Sequence, residues 1–339
     1  MKIERITLTK ESIPLKTPFV TALRQVESVE FVRVRVVFED GSVSFGEAPA
    51  TKAITGEDLQ TIANDITKLT PSLLGKDGKD ALKMIHSAGI GSSAKAALDI
   101  ALHVTTKPKK IELIKTDITI SLDTSKKMLQ DAKEAEVLGF EILKIKLGSD
   151  IAHAIEATSK IAQELPKMTL LIDANQAWSV QESLRYIDGV RGLQNIALIE
   201  QPVRADDIAG LGAITNYSPI PILADESAFT LADVQKIVQG KVADMINIKL
   251  MKCGGVSKAE EILEFAKEQG VRCMFGSMLE GPCSINAALY LAAKYRDVIK
   301  YVDLDSPMLY KEYPKELDFL FCRGSYILQP DKSNRSSNR

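Results

Sequence analysis

At 339 residues, 45% hydrophobic and 26% charged, the chain has an ordinary globular composition with room for two domains or one large barrel. Its 43 basic and 45 acidic residues leave a formal charge of −2, which excludes a field strong enough to gather nucleic acid or anionic lipid. No apolar run approaches the roughly 20 residues of a membrane-spanning helix, and the alternating start MKIERITLTK lacks the apolar core of a signal peptide. Four scattered cysteines without a C-x-x-C pair point to a reducing, cytoplasmic setting. The three histidines (His86, His103, His153) lie in helix-like stretches, which speaks against a His-centred hydrolase or zinc site.

In chain order, the first elements are antiparallel. KIERITLTK alternates, and EFVRVRVVFEDGSVSFGEA is two alternating runs around Asp40-Gly41, a hairpin signal with Arg33 and Arg35 on its wet face. Thr55 and Asp58 stand at capping-box spacing and predict a helix start, followed by helical segments to about Val104. Residues 1 to about 115 therefore read as an α+β domain. From Asp117 the rhythm changes. DITISLD, ILKIKLG, TLLIDAN, ALIEQPV, PILADES, MINIKLM, RCMFGSM and YVDLDSP are eight short strand candidates, most separated by a helix-like stretch. That is the pattern of a parallel β/α barrel over 116–307. A doubly wound open sheet is the rival, but no G-x-G-x-x-G follows the first strand. The polar ends at 146, 173, 200, 225 and 249 fall 27, 27, 25 and 24 residues apart. About 190 barrel residues is short for the fold, so the N-terminal domain is expected to cover the mouth, with 308–330 packing back on it. The tail, 331–339, is polar and expected to be disordered.

Barrel enzymes place their chemistry at the C-terminal ends of strands. Those ends carry Lys144 and Lys146, Asp173 and Asn175, Glu200, Asp225 and Glu226, Asn247 and Lys249, Gly276 to Glu280, and Asp303 with Asp305. Lys146 and Lys249, on the second and sixth strands, should face each other across the mouth. Asp173, Glu200 and Asp225 should cluster on the arc between, where only a cation relieves their repulsion. A hard divalent ion fits an all-oxygen set: Mg²⁺, with Mn²⁺ a substitute. A substrate carboxylate on that ion would set its α-carbon between two lysines, one removing a proton and the other returning it on the opposite face. Lys144 would supply positive charge beside Lys146. Asn175, Glu226 and Asn247 read as supports of the inner groups.

These residues resemble a known family. KIK (144–146), DAN (173–175), EQP (200–202), ADES (224–227) and NIKLMKCGG (247–255), together with GEA (46–48), are similar to the enolase superfamily, muconate-lactonizing subgroup. The resemblance implies a modified TIM barrel, (β/α)₇β, with an N-terminal α+β capping domain. It implies Mg²⁺ on Asp173, Glu200 and Asp225, and an acid/base pair of Lys146 and Lys249. In DLDSP (303–307), alternation points Asp303 and Asp305 to the same side of the last strand, ready to hold a cation at the mouth. Such a D-x-D resembles the dipeptide epimerases, where it holds the substrate's α-ammonium group. Arg24 resembles the residue that pairs with the glutamate side chain in Ala-Glu epimerases, and Thr119, Lys144, Ser277 and Met278 would line the pocket.

The implied reaction is epimerisation of the C-terminal residue of a dipeptide, L-Ala-L-Glu to L-Ala-D-Glu, by 1,1-proton transfer through an enediolate. By the same resemblance Lys249 acts on the L,L and Lys146 on the L,D epimer. An N-acylamino acid racemase, an o-succinylbenzoate synthase, a Schiff-base aldolase using the sixth-strand lysine, and a non-catalytic barrel are the competing readings. The expected partner is a small dipeptide, and a homo-oligomer is compatible with the sequence.

Overall fold

The computed structural model describes residues 1–20, 25–103 and 108–330. Strands β1 (Ile3–Val20), β2 (Gln25–Phe38) and β3 (Val43–Pro49) form an antiparallel sheet in that order. The β2–β3 turn is the one expected: Gly41 has φ of 80°, and Asp40 Oδ1 accepts the Ser42 N–H at 3.0 Å. Helices α1 (Lys52–Thr55), α2 (Leu59–Leu73), α3 (Gly78–Ser87) and α4 (Ser92–Leu102) follow. Val32, Val34, Val36 and Ala48 of the sheet share one core with Ala94, Ala97, Leu98 and Ala101 of α4. A Cβ at Gly46 would stand 2.0 Å from Ala97 O and 2.7 Å from the Ala101 nitrogen, so glycine lets sheet and helix approach this closely.

Two expectations need correction here. No capping box joins Thr55 to Asp58: Gly56 at φ 77° ends α1, and Asp58 alone caps α2, accepting the Thr61 N–H at 2.9 Å. Glu57 turns inward and accepts the Ser93 and Ala94 N–H groups, at 2.8 and 3.2 Å, at the start of α4. Arg33 is not on a wet face. Its guanidinium meets Glu11, Glu47 and Glu316 at 3.1, 3.6 and 3.2 Å, because the returning C-terminal segment covers it.

After β4 (Glu112–Lys115), eight parallel strands follow: β5 (Ile118–Ile120), β6 (Ile142–Lys146), β7 (Thr169–Asp173), β8 (Ile196–Glu200), β9 (Ile222–Ala224), β10 (Met245–Ile248), β11 (Arg272–Gly276) and β12 (Ile299–Asp303). They pair in sequence order. Their seven connections hold α5 (Ser125–Val137), α6 (Ile151–Glu164), α7 (Val180–Val190), α8 (Ile208–Tyr217), α9 (Leu231–Gln239), α10 (Leu250–Cys253) with α11 (Val256–Gln269), and α12 (Pro282–Lys294). This is the (β/α)₇β barrel. Beyond it come α13 (Ser306–Leu309) and the hairpin β13 (Phe319–Cys322) and β14 (Ser325–Leu328), whose second strand pairs with β4. No helix among the described residues is long and apolar enough to cross a membrane.

Buried acids fasten the N-terminal layer to the barrel. Glu47 Oε1 accepts the Cys283 and Ser284 N–H groups at 2.6 and 3.1 Å, capping α12 from another part of the chain. Asp99 of α4 accepts the Ser257 N–H of α11 at 3.1 Å and meets His86 Nε2 at 2.8 Å. The barrel closes differently from its other joints. Among the described residues β5 and β12 share no strand ladder. The seam is held by Asp117 N–H on Val302 O (3.1 Å), by the Thr116 hydroxyl between Val302 O and Leu304 N, and by Thr119 N–H on Asp305 Oδ2 (2.8 Å).

Candidate active site

Side chains two apart on a strand share a face. Leu171, Leu198, Leu223, Met245 and Met274 form an apolar layer inside the barrel, with Ile142 and Tyr301 against it. Two residues further along the same strands stand Asp173, Glu200, Asp225, Asn247, Gly276, Lys144 and Asp303. The apolar layer is thus the floor, and the strand ends put the polar groups directly above it. Above Met274 the chain has Gly276. A Cβ there would lie 2.8 Å from Asn247 Oδ1 and 3.0 Å from Lys249 Cε, so the bare backbone leaves Lys249 its place.

The polar layer is an ion-pair lattice. Lys144, 1% exposed, reaches Asp303 Oδ2 at 2.6 Å, Glu200 Oε2 at 2.8 Å and Asp173 Oδ2 at 3.1 Å. Burial opposes its charge, but these three carboxylates hold the ammonium well above the usual lysine value. Lys146 donates to the same Asp173 Oδ2 at 2.5 Å, so two ammonium groups converge on one oxygen. Lys249 donates to Asp225 Oδ2 at 2.7 Å. Burial alone would raise Asp173 and Asp225; the lysines around each hold both far below the ordinary carboxylate range. Glu200 lies between the two aspartates, accepting from Asn247 Nδ2 at 2.7 Å. Burial and the charge of Asp173 push it up to about 8. Glu226 is pushed to about 7 by burial and by Asp225.

One pocket opens over this lattice. Its walls include Thr119, Lys144, Lys146, Asn175, Asp225, Glu226, Lys249, Ser277, Met278, Asp303 and Asp305, with Phe19, Thr51 and Ile54 contributed by the N-terminal layer. Asp173, Glu200 and Asn247 are buried and do not line it. Arg24 lies outside the described residues. Asp303 reaches the pocket from the end of its strand as expected, but Asp305 does so by a different route. Strand β12 ends at Asp303, and Asp305 has φ −79° and ψ −6° at the entry to α13, so a turn and not strand alternation aims its carboxylate at Thr119.

The donor set fits a hard divalent cation. Asp173, Glu200 and Asp225 offer oxygen only, and both oxygens of Glu226 and the side-chain oxygens of Asn175 and Asn247 are buried without a hydrogen-bond donor. In this structure lysine ammonium groups stand among the three carboxylates. Among the described residues only Asp117, Asp303 and Asp305 bring three carboxylate oxygens within 4.8 Å of one another.

Three buried residues in or beside this layer were not singled out from the sequence. Lys252, 2% exposed, donates to Asp225 Oδ1 (2.5 Å), Asp225 O (2.6 Å) and Asn247 O (2.8 Å). The K-x-x-K spacing after β10 is its only signal. Gln201 takes φ of 35° just past β8, and its Oε1 accepts the Asp225 and Ser227 N–H groups at 2.9 and 3.1 Å. It fixes the end of β9, and a strained backbone at such a position is typical of a site. Asp117, before the first barrel strand, is the third.

Comparison with known proteins agrees with this fold. Residues 127–332 match the enolase C-terminal domain-like family, and residues 3–113 match the mandelate racemase / muconate lactonizing enzyme N-terminal domain. The chain belongs to this enolase superfamily group. It is 56% identical over 334 residues to an L-amino acid-D/L-Glu epimerase of Sulfurimonas denitrificans, covering 95% of this chain and 98% of the relative. It is 39% identical to the L-Ala-D/L-Glu epimerase of Bacillus subtilis, covering 92% and 90% of the two chains. A substrate-liganded structure of the B. subtilis L-Ala-D/L-Glu epimerase superposes with a TM-score of 0.90 over 97% of each chain, at 38% identity. A dipeptide epimerase of Enterococcus faecalis, complexed with Mg and L-Leu-L-Tyr, gives 0.89 over 98% of each chain, at 32% identity.

Proposed function

We propose that this protein is a Mg²⁺-dependent dipeptide epimerase that inverts the α-carbon of the C-terminal residue, with L-Ala-L-Glu and L-Ala-D-Glu as its pair. The carrying observation is that Lys146 and Lys249, from strands four apart, open into one pocket that Asp303 and Asp305 also line. Asp173, Glu200 and Asp225 would hold the cation, Mg²⁺ or the chemically similar Mn²⁺, which supplies positive charge beside the substrate carboxylate. Lys249 takes the α-proton from the L,L epimer and Lys146 delivers one to the opposite face, with the roles exchanged in reverse. Asp303 and Asp305 receive the α-ammonium group, a contact that an N-acylated substrate cannot make. Asn175, Glu226 and Asn247 set the orientation of the inner carboxylates. Residues 1–115 and 308–330 act as the cap, and Phe19, Thr51 and Ile54 select the side chains. Four free cysteines support a cytoplasmic place of work.

Incubation with Mg²⁺ and L-Ala-L-Glu in D₂O, followed by NMR at the glutamyl α-proton, tests this. Exchange and epimer formation are expected, abolished by EDTA. Lys146→Ala and Lys249→Ala should each lose epimerisation and retain exchange with opposite epimers. Absence of exchange with any dipeptide, or faster turnover of an N-succinyl amino acid, would overturn the assignment.

A further inference from the structure

Asp117 is fully buried, and neither of its carboxylate oxygens has a hydrogen-bond donor. It does not line the pocket, yet one of its oxygens lies within 4.8 Å of those of Asp303 and Asp305, which do. The other two acids are partnered: Asp303 Oδ2 holds the Lys144 ammonium at 2.6 Å, and Asp305 Oδ2 accepts the Thr119 N–H at 2.8 Å. Asp117 is fixed through its backbone, whose N–H bonds Val302 O across the barrel seam. A buried carboxylate without donors costs several kcal/mol, and the usual escape is to take up a proton.

Charge counting gives that proton a purpose. The groups facing the cluster are Asp303 at the end of β12 and Asp305 just beyond it, Lys144 on β6 and Glu200 on β8. An ionised Asp117 would add a third negative charge beside Asp303 and Asp305, whose one ammonium neighbour, Lys144, also pairs with Glu200 and Asp173. With Asp117 neutral, the two aspartates that line the pocket keep their charge for an incoming ammonium group without that added repulsion.

We propose that Asp117 is a positioning residue that works in its protonated form, bracing Asp303 and Asp305 from behind with its O–H so that the pair accepts one α-ammonium group. This deepens, and rests on, the dipeptide reading above. Burial, Asp303 and Asp305 all act in the same direction on Asp117, holding its carboxyl well above the ordinary range. A neutral brace also explains why this acid stands out of reach of substrate. It shapes the pair and does not touch the ligand.

Asp117→Asn keeps a neutral hydrogen-bond donor at the same place, whereas Asp117→Ala removes it. For L-Ala-L-Glu, the alanine variant should raise KM at least tenfold with a smaller change in kcat, and the asparagine variant should restore KM to within about threefold of the parent, since a hydrogen bond to a charged group is worth about 1.5–3 kcal/mol. An asparagine variant as impaired as alanine would mean that the ionised form is needed, and an unimpaired alanine variant would mean no role. Either result overturns the proposal. The proton itself is read without turnover, from the infrared difference spectrum of wild type minus Asp117→Asn at pH 7. A carboxylic-acid C=O band assigned to Asp117 is expected, and its absence overturns the proposal even if the alanine variant does not fold. If that band is present but no dipeptide is turned over, the brace stands and the substrate reading fails.

Discussion

Lys252→Met is the perturbation that most directly probes how the polar layer is held together. The lysine is 2% exposed and makes three hydrogen bonds, two of them to Asp225. Methionine keeps the apolar stem and removes only the ammonium. Removing one partner of a buried pair costs about 3–5 kcal/mol, because the remaining charge is left uncompensated. Asp225 still has Lys249 at 2.7 Å, which places the expected loss near the lower end, about 3 kcal/mol. For a chain longer than 250 residues that corresponds to roughly 2 °C per kcal/mol, so the melting temperature in EDTA should fall by about 6 °C. Asp225→Asn in the Lys252→Met background should not recover that loss, because it leaves the Lys249 ammonium without its carboxylate, and a double-mutant cycle isolates the Lys252–Asp225 coupling from packing. If Asp225 helps bind Mg²⁺, saturating metal should narrow the gap between Lys252→Met and the parent. A melting temperature within about 1 °C of the parent in EDTA would refute the reasoning, because it would mean that water or a rotated side chain already satisfies Asp225.

Two further outcomes follow from groups away from the lysines. Burial and the neighbouring Glu47 hold Glu280 at about 7, above the ordinary 4.5. The folded protein therefore binds more protons than the unfolded chain between those values, so this group's contribution to stability falls as pH rises from about 4.5 to about 7, by up to about 3 kcal/mol. Glu280→Gln should flatten the drop in urea midpoint between pH 5 and pH 8, and an unchanged slope would show that the proton is not held there. Gly46→Ala places a methyl group against Ala97 O and the Ala101 nitrogen, backbone atoms that cannot rotate away. It should cost about 1–3 kcal/mol or more in urea unfolding, by forcing β3 from α4.

The polar layer was legible because two periodicities coincide. Strand–helix units of nearly constant length bring each strand end to the same rim, and alternation by two then fixes which side chains point inward. Lys144, Asp173, Glu200, Asp225 and Asp303 obey both rules, and each stands two residues above an apolar floor residue. What was missed breaks one of them. Lys252 sits on the short turn of α10, where a lysine three residues after another reads as a solvated helix face. Asp117 precedes β5 and reads as a strand opener, since nothing local reveals that the last strand closes over it. Asp305 was placed in the right pocket by the wrong geometry, because alternation was carried one step past the end of β12. The helix start at Thr55 failed for a related reason: Gly56 in the left-handed region separates Thr55 from the helix that Asp58 caps. Local patterns report side-chain direction only while the backbone stays regular.

On the proposed reading, the seam explains why recognition of the ammonium group would fall on the last strand. Elsewhere in the barrel, ladders between neighbours satisfy the backbone groups, leaving side chains at the strand ends free for chemistry. Strand β5 is only three residues long, and among the described residues it has no ladder with β12. Its Thr119 N–H must find another acceptor, and Asp305 Oδ2 supplies it. One oxygen of the pair is thereby committed to closing the barrel, and Lys144 engages an oxygen of the other aspartate. The two remaining oxygens are held at fixed positions at the rim by bonds that do not depend on the ligand. An acceptor pair orientated before binding loses little freedom when an ammonium group arrives, which favours a substrate that brings that charge over one that does not.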